Sequence, residues 1–347
     1  MYVDKYRFAQ EPEHLAELED KSALRALLRH PRAKAGIAAR YALYSPQIRR
    51  AYRTLANEES RRIFMDILRY RLLGAPYAKL AQNEPMFRQL EAVMADDIPS
   101  SDPPYEMGDL LGQKVKLWNV QYGGRPLEVV AIKYALYWVL HSDQYYYKAG
   151  KVSIRPEPGD VILDGGAFLG EISMRFAIDV GPEGRVFAFD PFPRHSQLAT
   201  LNAKRNGLAD RIRFVPAGIS GKSNVSGLDQ LAPVEDGAHT AVDAVNPGRR
   251  MDAGDAMLAL DDFADWAGLE KVDYIKMDIE GSEADALAGC DRIIHKWRPK
   301  LAISVYHRFA DLWTITNDLK ARYPFYRFYL GHHSLHSEET VLYAIAD

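Results

Sequence analysis

At 347 residues the chain can bury one large core or two smaller ones. Its hydrophobic content of 47 % and charged content of 26 % are ordinary for a soluble globular protein. A formal net charge of −3 argues against a general nucleic-acid binder, because nothing basic dominates, while leaving room for a local basic patch. The single cysteine, Cys290, rules out an intrachain disulfide and a four-cysteine zinc site, and fits a reducing compartment. No apolar run approaches the ~20 residues of a spanning helix, and the opening Met1-Tyr-Val-Asp-Lys-Tyr-Arg7 lacks the apolar stretch of a signal peptide. A cytoplasmic protein without a membrane span is expected.

Residues 1–125 read as a helical region for acceptor binding or for homo-oligomer formation. His14–His30 carries Leu15, Leu18, Leu24, Leu27 and Leu28 at helical spacing. A later helix follows Asn57, a natural N-cap, with Glu58 and Glu59 in the first turn, where the macrodipole favours acids. Ile63, Phe64, Ile67, Leu68 and Leu72 form its apolar stripe, and Gly74 and Pro76 stop it. Arg61, Arg62 and Arg69 on its other faces read as a solvated surface in preference to a phosphate or glycan site. Pro99, Pro103 and Pro104, with Ser100, Ser101 and Asp102 between them, predict a boundary or linker near 96–106. Lys114–Val120 and Leu127–Ile132 flank Gly123-Gly124 as a hairpin. The tyrosines in Leu140–Lys148 read as packing at a domain seam in preference to a flap over a ligand.

From about 126 to 347, strands and helices alternate, which predicts a mostly parallel sheet covered on both faces. The first strand, Val161–Leu163, leads into Asp164-Gly-Gly-Ala-Phe-Leu-Gly170, and from Glu171 a helix puts Ile172, Phe176 and Ala177 on one face. A dinucleotide fingerprint needs glycine at its first, third and sixth positions. Counted from Gly165, the third is Ala167, so it fails at the glycine that admits a pyrophosphate. Asp164 would repel a phosphate and suit an ammonium or a sulfonium; S-adenosyl-L-methionine carries both and no phosphate. This stretch resembles the first motif of the class I methyltransferases, acidic-x-Gly-x-Gly-x-Gly: Asp164, Gly166 and Gly170 match it, and Phe168 replaces the middle glycine. Asp164, Gly165, Gly166, Ala167, Phe168, Gly170 and Glu171 are the candidate cofactor turn.

The second strand, Arg185–Asp190, ends in an acid at roughly the spacing that meets ribose hydroxyls, a role preferred over a turn cap. Pro191 follows, and Phe192 is placed to pack on the adenine. A helix over His195–Asn206 and a strand over Arg211–Pro216 bring the backbone of Ala217 and Gly218 to the adenine edge. Ser220–Arg250 reads as a long irregular insertion, functional or mobile. Asp265–Glu270 reads as a helix and turn. In the strand that opens at Val272, Lys276, Asp278, Glu280 and Glu283 crowd around Gly281, more charge than a central strand end needs for stability. Lys300–Tyr306 is a fifth strand ending at His307, either a general base beside Asp278 or a surface residue capping the helix that starts near Ala310. Phe325–Leu330 and Thr340–Ala346 close the sheet. His307, with His332 or His333 and Asp278, supplies ligand types for a divalent metal, and His336 lies close by. No spacing matches a metal motif, so a metal is not predicted.

Asp164–Gly170, the Asp190 strand end, Ile275-Lys-Met-Asp-Ile-Glu-Gly-Ser-Glu283 and Arg298-Pro-Lys-Leu-Ala-Ile-Ser304 together resemble the FkbM family of S-adenosyl-L-methionine-dependent methyltransferases over about residues 155–347. The lysine-x-aspartate-x-glutamate-glycine run is the most specific element. The resemblance implies a class I methyltransferase (Rossmann-like) α/β fold, with a seven-stranded, mostly parallel sheet in residues 126–347. It implies S-adenosyl-L-methionine as cofactor and O-methylation of a hydroxyl on a sugar, glycan or secondary metabolite. Asp278, Glu280 or His307 would then accept or position the hydroxyl proton, with Asp278 also facing the cofactor. Many members carry glutamate where this chain has Ser304, and the resemblance does not reach residues 1–125. Two rival readings are an NAD(P)-dependent sugar oxidoreductase, which Asp164 and Ala167 oppose, and a catalytically silent Rossmann-like scaffold, which the charges at Asp278–Glu283 oppose. The expected partner is a small-molecule or glycan acceptor, with no nucleic acid.

Overall fold

The computed structural model describes residues 31–74, 78, 80, 83–103, 109–110, 113–231, 256–334 and 337–347. The helix expected over His14–His30, Pro76, Pro104, His336 and positions 232–250 of the expected insertion lie outside the described residues.

The chain enters as α1 (Pro31–Leu43), α2 (Ser45–Thr54) and α3 (Glu58–Leu73). Asn57 caps α3 by accepting the Ser60 N–H at 2.9 Å, and Gly74, at φ 89°, ends it. Its stripe of Ile63, Phe64, Ile67 and Leu68 is buried. After α4 (Asn83–Ala95) come β1 (Ser100–Ser101), β2 (Asp109–Leu110), β3 (Gln113–Tyr122) and β4 (Arg125–Ile132). β3 and β4 form the expected hairpin, with both turn glycines at positive φ. The stretch expected as a linker is instead stapled to this hairpin: Ser100 and Ser101 pair with Trp118 and Leu117, and Asn119 donates to the Pro99 carbonyl at 2.9 Å. Prolines break helices, but they do not prevent a short edge pairing. The 125/126 division falls inside β4, just past the hairpin turn. β4 is tied to the later helix that carries Asn202, whose side chain exchanges hydrogen bonds with Val130 N and O at 2.8 and 3.1 Å.

After α5 (Ala135–Leu140), β5 (Tyr147–Ala149) and β6 (Val152–Ile154), the main unit runs β7 (Val161–Gly165), α6 (Glu171–Val180), β8 (Arg185–Phe189), α7 (Pro193–Arg205), β9 (Ile212–Val215) and β10 (Gly218–Ile219). It continues as β11 (Met257–Leu258), α8 (Leu260–Trp266), β12 (Tyr274–Met277), α9 (Glu283–Ala288), α10 (Asp291–Trp297), β13 (Lys300–Ser304), α11 (Asp311–Arg322), β14 (Tyr326–His332) and β15 (Thr340–Ala346). The seven-stranded sheet has the order β14-β15-β13-β12-β7-β8-β9, parallel except for β15. The chain winds outward from β7 through β8 and β9, then returns to place β12 on its other side. The crevice outside the carboxyl ends of β7 and β12 is therefore the switch point, where such sheets hold ligands.

The N-terminal helices close one side of this sheet. Leu55 bridges Phe328, the Ala56 N–H donates to the Phe328 carbonyl at 2.8 Å, and the Leu330 N–H donates to Ser60 Oγ at 2.9 Å. The β14 edge is thus covered instead of left open to pair with another chain. Ala51, Leu55, Phe64 and Ile67 share a core with Leu163, Ile275, Ile303 and Trp313. No helix of the described residues is long and apolar enough to cross a membrane.

Candidate active site

The turn after β7 depends on glycine at two positions. At Gly166, φ is +79° and a Cβ would sit 1.9 Å from the Asp278 carbonyl oxygen; at Gly170, φ is +83° and a Cβ would meet that of Ala199 at 2.9 Å. The turn spends its N–H groups on the protein itself. Gly166 and Ala167 donate to the Phe189 carbonyl, Phe168 to Asp190 Oδ2 at 3.0 Å, and Gly170 to the Ala167 carbonyl. A phosphate cradle would present these donors to its ligand.

Asp164 is fully buried at the end of β7. Ser173 Oγ donates to its Oδ2 at 2.6 Å, and Lys276 Nζ lies 3.0 Å from its Oδ1. The same ammonium donates to the carbonyls of Gly165 and Gly166, each at 2.8 Å. Lys276 therefore stands between the acid and the turn, and the Asp164 charge is met by the protein's own cation. Glu171 opens α6, buried, with Oε1 lacking a hydrogen bond. Burial, assisted by the Asp190 charge and opposed by backbone hydrogen bonds and Lys276, pushes its carboxyl up to about 8.

Asp190 accepts from Phe168 N, from Phe192 N at 2.9 Å and from His195 Nδ1 at 3.0 Å. It both braces the turn and caps the entry to α7. A carboxylate has about four acceptor sites, so these contacts leave capacity for a ribose hydroxyl. His195 is itself buried between the rings of Phe168 and Phe192, with Nε2 lacking a partner. Gly218 pairs with Met257, whose sulfur would lie 2.7 Å from a Cβ there, and Pro191 Cβ would lie 3.6 Å away. Gly218 thus lies beside Pro191.

At the carboxyl end of β12, Asp278 accepts from Tyr145 Oη at 2.7 Å and from Tyr306 Oη at 2.9 Å. Burial, and next the Asp278 charge, raise both phenols well above their ordinary range, so both remain donors. His307 joins the group: its Nε2 lies 3.3 Å from Asp278 Oδ1 and 3.7 Å from Glu280 Oε2, and its Nδ1 lies 2.9 Å from Glu283 Oε1. Glu283 is fully buried and also accepts the Ile279 N–H, which pins the Asp278–Glu280 turn. Glu280 has φ 57° and is exposed. Burial pulls the His307 pKa down, but the Glu283 contact and the charges of Asp278, Glu283 and Glu280 outweigh it and push it up to about 9.

The structure thus gathers Asp278, Glu280 and His307 as the sequence predicts. It adds Tyr145 and Tyr306, which sequence reasoning left outside the site, and sets Glu283, already read in the charged cluster, against His307. Tyr306 adjoins His307 and was within reach; Tyr145 is 133 positions from Asp278, and only the fold brings it there. Among the described residues one group of three metal-ligand types lies within 4.8 Å, namely Asp278, Glu283 and His307. His332 and His333 do not join it. His332 Nδ1 is 3.0 Å from Thr340 Oγ1, and His333 Nε2 is 2.8 Å from Tyr343 Oη. Burial lowers His333 to about 4, which keeps that ring neutral.

The loop after His307 is held from the N-terminal helices. Tyr41 stacks on Phe309 at 5.7 Å, Arg40 lies over the same ring at 5.0 Å, and Arg71 Nη1 donates to the Phe309 carbonyl at 3.1 Å. Arg71→Ala is expected to cost about 1–3 kcal/mol, because the half-buried Phe309 carbonyl loses its charged donor. Thermal melts measure the loss, and amide exchange over 307–311 should quicken; an unchanged melt would show the clamp to be idle.

A family model for the methyltransferase FkbM domain matches residues 164–330. The 2-O-methyltransferase NoeI of Sinorhizobium fredii (strain NBRC 101917 / NGR234) is 31 % identical over 174 residues, which are 46 % of this chain and 67 % of that protein. The crystal structure of methyltransferase FkbM from Methylobacillus flagellatus KT superposes with a TM-score of 0.53 at 21 % identity, covering 88 % of this chain and 60 % of that one. This likeness is one of fold, and the chain spans less than two thirds of that protein's length. A glycine turn that withholds its N–H groups from phosphate, and a lysine-aspartate-glutamate run folded against it, fit the matched family: the chain belongs to the FkbM family of S-adenosyl-L-methionine-dependent methyltransferases.

Proposed function

We propose that the protein transfers a methyl group from S-adenosyl-L-methionine to a hydroxyl oxygen of a sugar or glycan, with His307 as proton acceptor. The observation that carries this reading is His307 between Asp278 and Glu283, at the switch point of the sheet, where an attacking oxygen must lose a proton. The name of the Sinorhizobium relative, a 2-O-methyltransferase, supports oxygen as the acceptor atom.

S-adenosyl-L-methionine, when bound, supplies a methyl group on a positively charged sulfur. The residues of the turn fit such a ligand. Glu171 offers a buried carboxyl with an unused oxygen, Asp190 offers remaining acceptor sites for the ribose, and Phe192 offers a ring for the adenine. Ala167, Phe168, Ala217 and Gly218 would complete the walls, while Asp164 acts through Lys276 on the carbonyls of Gly165 and Gly166. Asp278 keeps the imidazole of His307 oriented, and Glu283 stabilises the imidazolium that forms. Holding donor and acceptor in line supplies about 7–11 kcal/mol of the barrier, more than the base does. Incubation with the cofactor and a panel of oligosaccharides should give S-adenosylhomocysteine together with an O-methylated sugar. Absence of cofactor binding by calorimetry would sink this reading and favour a silent scaffold.

Glu171 makes a further prediction. With its carboxyl near 8, it is mostly protonated at pH 7. A cationic ligand favours the ionised form, so binding at neutral pH should release a proton, and affinity should rise with pH through about 8. Calorimetry in buffers of different ionisation enthalpy reads this proton directly. Glu171→Gln should abolish the buffer dependence and weaken binding by about tenfold. Equal enthalpies in all buffers for the parent protein would rule the contact out.

A further inference from the structure

Pro46, Arg49, Arg50, Arg53, Thr54 and Lys320 line a cleft of about 690 Å³, within the ~300–1,000 Å³ range of small-ligand sites. It does not belong to the switch-point crevice. β14 runs parallel to β13, and α11 carries the chain back from the His307 loop to the amino edge of the sheet. Lys320 Nζ donates there to the carbonyls of Pro324 and Tyr326, at 2.8 and 3.1 Å. From Asp311 to Lys320, α11 rises about 14 Å between the two places.

The lining side chains of this cleft carry four cations and no acid. Positions 31–57 contain Arg32, Lys34, Arg40, Arg49, Arg50 and Arg53 and no Asp or Glu, in a chain whose net charge is −3. Elsewhere several helical arginines are paired with acids: Arg61 with Glu58, Arg69 with Asp66 at 3.7 Å, and Arg322 with Asp318 at 3.2 Å. Among the described residues, Arg49, Arg50 and Arg53 have no such carboxylate. They instead sit at i,i+3 and i,i+4 spacings, where like charges repel. A solvated face would gain from interspersed acids, as on α3. Guanidinium forks gathered in a concavity around a tethered ammonium match phosphate oxygens.

We propose that this cleft binds a soluble ligand bearing a diphosphate group. Arg49 and Arg53 are separated by about 6 Å of helix rise, more than one phosphate bridges and within the reach of two linked phosphates. Arg50 and Lys320 supply the further positive charge. Because the cleft lies away from His307, its ligand is an effector or an anchoring group and not the hydroxyl that is methylated.

The test is calorimetry of the full chain with inorganic pyrophosphate, with S-adenosylhomocysteine present to fill the cofactor site. Saturable binding is expected, weaker with orthophosphate. It should be weakened about tenfold or more in the Arg50→Gln/Arg53→Gln variant. S-adenosylhomocysteine affinity should be unchanged in that variant, which also reports that it is folded. No saturable pyrophosphate binding by the parent protein overturns the proposal, as does equal binding by parent and variant. Flotation with anionic phospholipid vesicles, without any pyrophosphate binding, would overturn it in favour of a membrane surface. None of these outcomes depends on methyl transfer, so this site and the active site can fail separately.

Discussion

Substituting Asp164 by alanine is expected to destabilise the protein by about 3–5 kcal/mol, the cost of leaving one member of a buried ion pair alone. Lys276 is 2 % exposed and would retain the carbonyls of Gly165 and Gly166 and the face of the Tyr145 ring, but no carboxylate. Changing both residues together, Asp164→Leu with Lys276→Met, removes both charges and should recover much of the loss, as seen by urea unfolding of the single and double variants. Recovery should be incomplete, because the two carbonyls lose a donor worth about 1–3 kcal/mol when buried. A parent-like unfolding curve for Asp164→Ala would mean that the pair does not hold the turn. The same cycle separates two roles in cofactor recognition. If Asp164 acts through Lys276, the folded double variant should lose cofactor affinity only as far as the turn loosens. A loss far beyond tenfold at full stability would instead require direct contact between Asp164 and the ligand.

The frame of the molecule was legible in the sequence because its signals are local. Asn57 followed by two glutamates marks the start of α3, Gly123-Gly124 marks the hairpin, and Val161–Leu163 before a glycine turn marks the central strand. The clustering of Asp278, Glu280 and His307 was also legible, since acids and a histidine at the ends of neighbouring strands must converge. What the sequence hid is non-local. Nothing in a linear reading says that Lys276 reaches across to Asp164, because their meeting depends on β12 pairing with β7 in a register that sets the two side by side. Pro99 and Pro103 look like a linker because proline removes donors, yet Ser100 and Ser101 still find partners on β3. His332 and His333 look like ligands because imidazole is versatile, but burial beside Thr340 and Tyr343 commits them to packing.

His307→Gln should lower kcat by about 10²–10⁴-fold, the usual contribution of a general base, while cofactor affinity stays near that of the parent. The pH profile discriminates further. With a pKa near 9, His307 is an imidazolium at neutral pH, and only its neutral form can take a proton. Turnover should therefore climb about tenfold per pH unit below the inflection and level off near pH 9. The stability linkage runs the other way. A histidine raised in the folded state stabilises fully below its ordinary value of 6.5, and that contribution disappears as pH rises from there through about 9. The protein should thus become more active over the same range in which it becomes somewhat less stable, and melts at pH 6 and pH 9 would show the second half of this pair. Asp278→Asn removes one of the charges that raise His307, so its inflection should move down toward 6.5 with a lower plateau. A flat profile from pH 6 to 8, with turnover retained in His307→Gln, would transfer the proton-accepting role to Asp278. Tyr145 and Tyr306 argue against that outcome in advance: both hydroxyls donate to Asp278, and a carboxylate so engaged has less basicity to offer an acceptor hydroxyl than an imidazole flanked by two acids.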